Sequence, residues 1–109
     1  MSVSFKPAEG TTASVAAGAP VQAVDPLPDN CHTIIVYNPS GTDTALIGWA
    51  QNAGAFDPTR AVRVGPGASL TLAISALSGR ALINGDVPFY DITAGVATLE
   101  ITYVNASTT

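Results

Sequence analysis

The chain predicts an all-β fold: an antiparallel β-sandwich of immunoglobulin-like or jelly-roll type, with about six to eight strands and an extended N-terminal arm. Three observations carry this prediction. From His32 onward, short apolar runs alternate with Gly, Pro, Asn and Asp turn signals, the spacing of a sandwich or barrel. No segment keeps apolar residues at helical spacing over about eleven residues, and no helix pattern alternates with the strands as a parallel sheet requires. The alternating runs each present one apolar face, which a lone sheet would leave without a partner.

Two regions are expected, an extended arm over residues 1–30 and a β-sandwich domain over residues 31–109. Residues 1–30 hold Pro7, Pro20, Pro26 and Pro28 with Gly10 and Gly18, and proline disfavours helix interiors and central strands. A short strand at Ala13–Ala17 or Pro20–Val24 is compatible with this segment, Asp25-Pro26-Leu27-Pro28-Asp29 reads as a stiff connector, and disorder is the competing reading of the whole stretch. Fully drawn out, such an arm reaches on the order of 80–100 Å.

The elements of the domain follow in order. Thr33-Ile34-Ile35-Val36-Tyr37 is β-branched, aromatic and uncharged, and predicts a central strand buried on both faces. Asn38-Pro39-Ser40-Gly41-Thr42-Asp43 carries turn chemistry and predicts a hairpin into the next strand. In that strand, Thr44–Ala50, the period of two puts Ala45, Ile47 and Trp49 on one face. Gln51–Thr59 reads as a long loop, and Arg60–Val64 as a short strand closed by Gly65-Pro66-Gly67. Ser69–Leu77 then alternates, with Leu70, Leu72, Ile74 and Ala76 inward. A strand at Arg80–Ile83 lies between Ser78-Gly79 and the tight-turn dipeptide Asn84-Gly85. Val87–Asp91 is an edge strand or a loop because of Pro88. The last strand alternates Ala97, Leu99, Ile101 and Tyr103 with Thr98, Glu100 and Thr102.

Charge narrows the function classes. Only 11% of the 109 residues are charged, 4 basic against 8 acidic, for a net charge of −4. Nucleic-acid affinity comes mainly from Lys and Arg on phosphates, so a nucleic-acid partner is not expected. No apolar run approaches the length of a membrane-spanning helix, and Met1–Phe5 lacks the basic start and apolar core of a secretion signal.

Catalytic constellations are sought in vain. Nucleophilic catalysis needs an activated Ser or Cys, and the sole cysteine and sole histidine, Cys31 and His32, are strand neighbours that point to opposite faces. Six of the eight acids, Asp25, Asp29, Asp43, Asp57, Asp86 and Asp91, sit beside turn residues, where their carboxylates cap backbone N–H groups. No dense Asp-x-Asp-x-Asp loop offers itself to calcium. Neither an enzyme, nor a cofactor, nor a metal site is expected. The interface candidates are Trp49, Phe56, Arg60, Arg63, Arg80, Phe89 and Tyr90, since aromatics and Arg dominate binding hot spots. Trp49 also has a reading as a core anchor beside Ile47.

The run Tyr37-Asn38-Pro39-Ser40-Gly41-Thr42-Asp43-Thr44-Ala45-Leu46-Ile47-Gly48-Trp49, followed by Val64-Gly65-Pro66-Gly67-Ala68-Ser69-Leu70-Thr71-Leu72, resembles small β-sandwich structural proteins of tailed bacteriophage virions, among them head decoration or cement proteins and neck or tail accessory proteins. The resemblance implies a virion location, binding to the major capsid protein or other virion subunits, and no catalytic residues. Composition points the same way, because strands poor in Lys and Glu lack the charges that keep free monomers apart. The expected function is therefore a homo-oligomeric capsid decoration subunit that binds and stabilises the head lattice, partly through its arm. The alternatives are a neck, tail or baseplate accessory protein, or a carbohydrate- or receptor-binding module using Trp49, Phe56 and the Phe89-Tyr90 pair.

Overall fold

A computed structural model describes residues 7–73 and 86–105. Seven strands are seen among them: β1 (Ala8–Ala16), β2 (Cys31–Tyr37), β3 (Ala45–Ala50), β4 (Val62–Val64), β5 (Ser69–Ala73), β6 (Val87–Ile92) and β7 (Val96–Asn105). They form two antiparallel sheets, one ordered β1-β7-β2-β5 and the other β4-β3-β6. An all-β sandwich is thus the observed architecture.

The pairing is nested. β1 pairs with β7, Val21 bridges to Tyr90 of β6, β2 pairs with β5, and β3 pairs with β4. A chain paired outermost with outermost and innermost with innermost is one long hairpin rolled into two layers, the jelly-roll arrangement. Of the two sandwich types expected, the strand order is that of the jelly roll, with the single bridge at Val21 standing in for the eighth strand.

Rolling requires the chain to cross between layers, and particular residues fix those crossings. Gly18 adopts φ +81°, a left-handed backbone that glycine enters without steric cost, and its N–H donates to the Asp91 carboxylate at 3.2 Å. The Val21–Tyr90 bridge follows, with backbone bonds of 2.9 and 2.8 Å. Val24 N–H then donates to Thr12 C=O and Asp25 N–H to the Thr11 hydroxyl. The stretch from Ala19 to Asp25 therefore runs from the edge of one sheet to the edge of the other and occupies ladder groups that an edge would otherwise expose.

At another crossing, buried Asn38 is the joint. Its amide donates to the carbonyls of Asp43, Val64 and Gly65, at 2.8, 3.1 and 3.3 Å, and its carbonyl oxygen accepts from Ser40 N–H. One side chain thereby ties the end of β2 to the start of β3 and the turn after β4.

The core lies between the layers. Ala13, Val15, Ile34, Val36, Leu99, Ile101 and Tyr103 meet Ala45, Ile47, Val64, Tyr90 and Ile92. Burial at alternate positions, as in Thr11, Ala13 and Val15 of β1, is what a pleated strand with one covered face produces.

Several expectations change. Residues 8–16 of the expected arm are a sheet strand with core side chains, and the rest of its described part lies on the sandwich. β2 is central but covered on one face only, since Thr33 and Ile35 are half-buried and Tyr37 is exposed. The turn after Tyr37 is a crossing between sheets and not a hairpin. The fourth strand is shorter than Arg60–Val64, and Val87–Asp91 is a strand extended to Ile92. Asp91 lies within that strand and is buried. The second half of Ser69–Leu77 and the strand at Arg80–Ile83 lie outside the described residues.

Candidate functional site

The expected interface residues do not form one surface. Tyr90 is fully buried in the core, where burial first, and then the neighbouring Tyr103 and Cys31, push its phenol well above the ordinary range. It is a packing residue. Phe89, its neighbour on the opposite face, is 6% exposed and registers with Gly48 on β3. Arg63 is exposed on β4 and registers with Leu46, while Arg80 lies outside the described residues. Only Trp49, Phe56 and Arg60 come together.

They do so through Gly48. A Cβ there would meet the Phe56 ring at 2.8 Å, so the absent side chain lets the ring lie directly on the outer face of β3. Phe56 follows a single 3₁₀ turn, Ala53–Ala55, whose first N–H groups are served by Asn52: its side chain accepts from Ala55 N–H at 3.0 Å. Beyond the ring, the Asp57 carboxylate accepts from the Thr59 N–H and hydroxyl, at 3.0 and 2.6 Å. Those two bonds hold its carboxyl below the usual range. Trp49 shares the inward phase of Ala45 and Ile47, yet it is 36% exposed because the strand is ending there. With Gly48, Ala55, Asp57 and Arg60 it lines a cleft.

The opposite sheet presents a different surface. Its outward positions align across all four strands as Ala8-Val104-Thr33-Ala73, Gly10-Thr102-Ile35-Thr71 and Thr12-Glu100-Tyr37-Ser69. Beyond them the β1–β7 pair continues with Ser14-Thr98 and Ala16-Val96. Glu100 is the one charged side chain on this face among the described residues. Tyr37 and Val96 are 37% and 77% exposed. Small, β-branched and uncharged side chains at every other outward position make a broad, smooth surface that costs little to desolvate.

Cys31 and His32 supply no nucleophile. The thiol donates to Thr33 C=O, the imidazole Nδ1 bonds the Thr33 hydroxyl, and burial pushes the thiol up, away from the thiolate that reacts. Among the described residues, no group of three His, Cys, Asp or Glu side chains is placed to share a metal ion, and no helix is long and apolar enough to cross a membrane.

No protein family, curated protein or solved structure matches this chain. What defines its class is therefore the fold together with its surfaces: a jelly-roll sandwich that, among the described residues, has one face capped by its own loop and the other bare.

The bare face was only partly legible in the sequence. Low charge in the strands pointed to it, but five of its sixteen outward residues come from β1, inside the expected arm. The signal that identifies β1 is the period of two in Thr11, Ala13 and Val15, faint because those side chains are small.

Proposed function

We propose that the protein is a non-enzymatic structural subunit that works by assembling, and that the outer face of the β1-β7-β2-β5 sheet is its assembly surface. The observation that carries this reading is that face itself: three rows across four strands with one charged side chain. Free monomers ordinarily place mixed charges on such a face, which keep copies apart. Glu100 stands in an outer row, so two copies related by a two-fold axis through the Thr102–Ile35 row set each Glu100 over the other's uncharged Val104–Thr33 row. Sheets stack in this way at about 10 Å, with side chains interleaved.

The setting that fits is the virion, with the protein as a head decoration subunit among the major capsid proteins, or a neck or tail accessory protein. Jelly rolls recur in viral capsid and lectin domains, and individually weak contacts suffice where many copies repeat on a lattice. Because residues 8–16 are built into the sandwich, the sheet face, by pairing copies, takes the part in assembly in this proposal that a drawn-out arm would otherwise have, and the paired copies bind the lattice together.

The test is co-sedimentation with virion shells that lack the protein. The wild-type chain pellets with the shells, and Thr102→Lys, which sets a charge in the middle row, stays in the supernatant while melting at the same temperature. Equal pelleting of the two proteins would overturn the pairing of copies through this face as a condition of attachment, and failure of the wild-type chain to pellet would remove the virion assignment.

A further inference from the structure

We propose that copies paired through the bare sheet face set His32 of one copy against Glu100 of the other, so that assembly tightens as pH falls through the histidine range. The contact rests on the pairing of copies proposed above and names the residues that regulate it.

A bulge puts His32 on that face. Cys31 registers with Asn105 and Thr33 with Val104, so β2 advances two residues against one of β7, which is how a bulge inserts an extra residue. Cys31 and Ile34 are both buried, while His32 and Thr33 between them are half-buried. Regular alternation would send residues 31 and 34 to opposite faces; the extra residue brings both inward and leaves His32 and Thr33 together on the outer side. The imidazole Nδ1 lies 2.8 Å from the hydroxyl of Thr33, a member of the outward Ala8-Val104-Thr33-Ala73 row. That bond orients the ring and leaves Nε2 as the nitrogen to meet a second copy.

Glu100 stands exposed in the opposite outer row. The two-fold axis through the Thr102–Ile35 row lays it over Val104 and Thr33 of the second copy, beside that copy's His32, and such an interface makes the contact twice. In its own copy Glu100 has Thr12 of β1 and Tyr37 of β2 on either side, a hydroxyl and a phenol but no cation. The titratable groups around His32 are the inward Cys31 thiol, Asp29 in the turn before β2, and Glu9 of β1, whose carboxylate accepts from the Asn105 amide at 3.1 Å. Histidine side chains ordinarily gain their charge between about pH 8 and 5, a range in which carboxylates are mostly ionised. At the upper end, pairing buries Glu100 against a neutral ring, a carboxylate without an opposite charge. At the lower end each His32 binds a proton, and its Nε2–H donates to the Glu100 carboxylate in a charge-assisted bond.

Sedimentation equilibrium of the full chain at about pH 5.5 and about pH 8 tests this, with wild type, Glu100→Gln and His32→Gln side by side. The expected result is wild-type association at least about tenfold tighter at the lower pH, and less than about twofold change in either variant. At the higher pH, Glu100→Gln should associate more tightly than wild type, because it removes the buried charge. Gln at position 32 keeps a partner for the Thr33 hydroxyl, and Glu100 is exposed, so both variants should retain the wild-type urea midpoint; if His32→Gln does not, Glu100→Gln decides. Wild-type association that is equal at both pH values overturns the contact and leaves the pairing of copies standing. A pH response that survives in Glu100→Gln also overturns it, by tracing the response to the falling net charge instead. A wild-type chain that is monomeric at both pH values removes the pairing itself, and the contact with it.

Discussion

The two outer faces of the sandwich are solved in opposite ways. On the β4-β3-β6 side, the outward residues Leu46, Phe89 and Asp91 are almost as buried as the core: the Phe56 ring lies on β3 at Gly48, and Gly18 covers the Asp91 carboxylate with its N–H. On the β1-β7-β2-β5 side, Ile35, Tyr37, Val96 and Val104 stand outward with nothing from the described chain over them. Among the described residues, a loop lies over one apolar face while the other is smooth and nearly uncharged, and it is this second face that the proposed assembly uses. Apolar character by itself does not mark an interface; apolar character that the chain leaves uncovered does.

The sharpest way to break this contrast is to substitute residues on each face and compare stabilities. On the capped side, Phe89→Ala removes a buried ring and should cost about 3–5 kcal/mol in urea unfolding. Gly48→Val forces the Phe56 ring off its seat and should cost about 1–3 kcal/mol, with the loop gaining protease sensitivity as a second readout. Between the layers, Tyr103 donates to Asp25 C=O at 3.0 Å, and its phenol is pushed up to about 12 from 10.0, chiefly by burial. The fold holds the neutral phenol, so this contribution is intact below pH 10 and is lost as pH rises from 10 toward 12. A stability profile over that range should fall for the wild-type chain and fall less steeply for Tyr103→Phe. On the bare side, Thr98→Lys should leave unfolding of the isolated chain within about 0.5 kcal/mol of wild type. A cost there as large as that of Phe89→Ala would mean that the face is covered after all.

How far each face could be read from sequence follows from the same contrast. Alternation located β3 and β7, and Gly65-Pro66-Gly67 marked the turn before β5, because those signals are local. Local alternation fails where cover ends or comes from afar. Trp49 is in phase with the core but stands one residue from the end of β3 and is 36% exposed. Phe89 and Tyr90 read as an exposed aromatic pair, yet adjacent strand residues face opposite ways, and both faces of β6 are buried. In β2 the uninterrupted run of apolar residues predicted burial on both sides; among the described residues its outer side has no cover, and Thr33, Ile35 and Tyr37 stand on it half-buried or exposed. Of β1 only the end was legible, in the strand allowed at Ala13–Ala17, because prolines flank it at positions 7 and 20 and because Ala13 and Val15 are small. Cys31 and the acids in turns carried little information about function, and Asp91, whose carboxylate accepts from Ile92 N–H beside it, also accepts from Gly18, 73 residues away in sequence.

The central claim is that the bare sheet face holds copies together. Sedimentation velocity of the isolated chain across the micromolar range, run beside Thr102→Lys, tests it most directly. The wild-type chain is expected to sediment as an oligomer and the variant as a monomer of 11.0 kDa, with equal urea midpoints. A wild-type chain that stays monomeric throughout, or a variant that assembles as well as wild type, would contradict it.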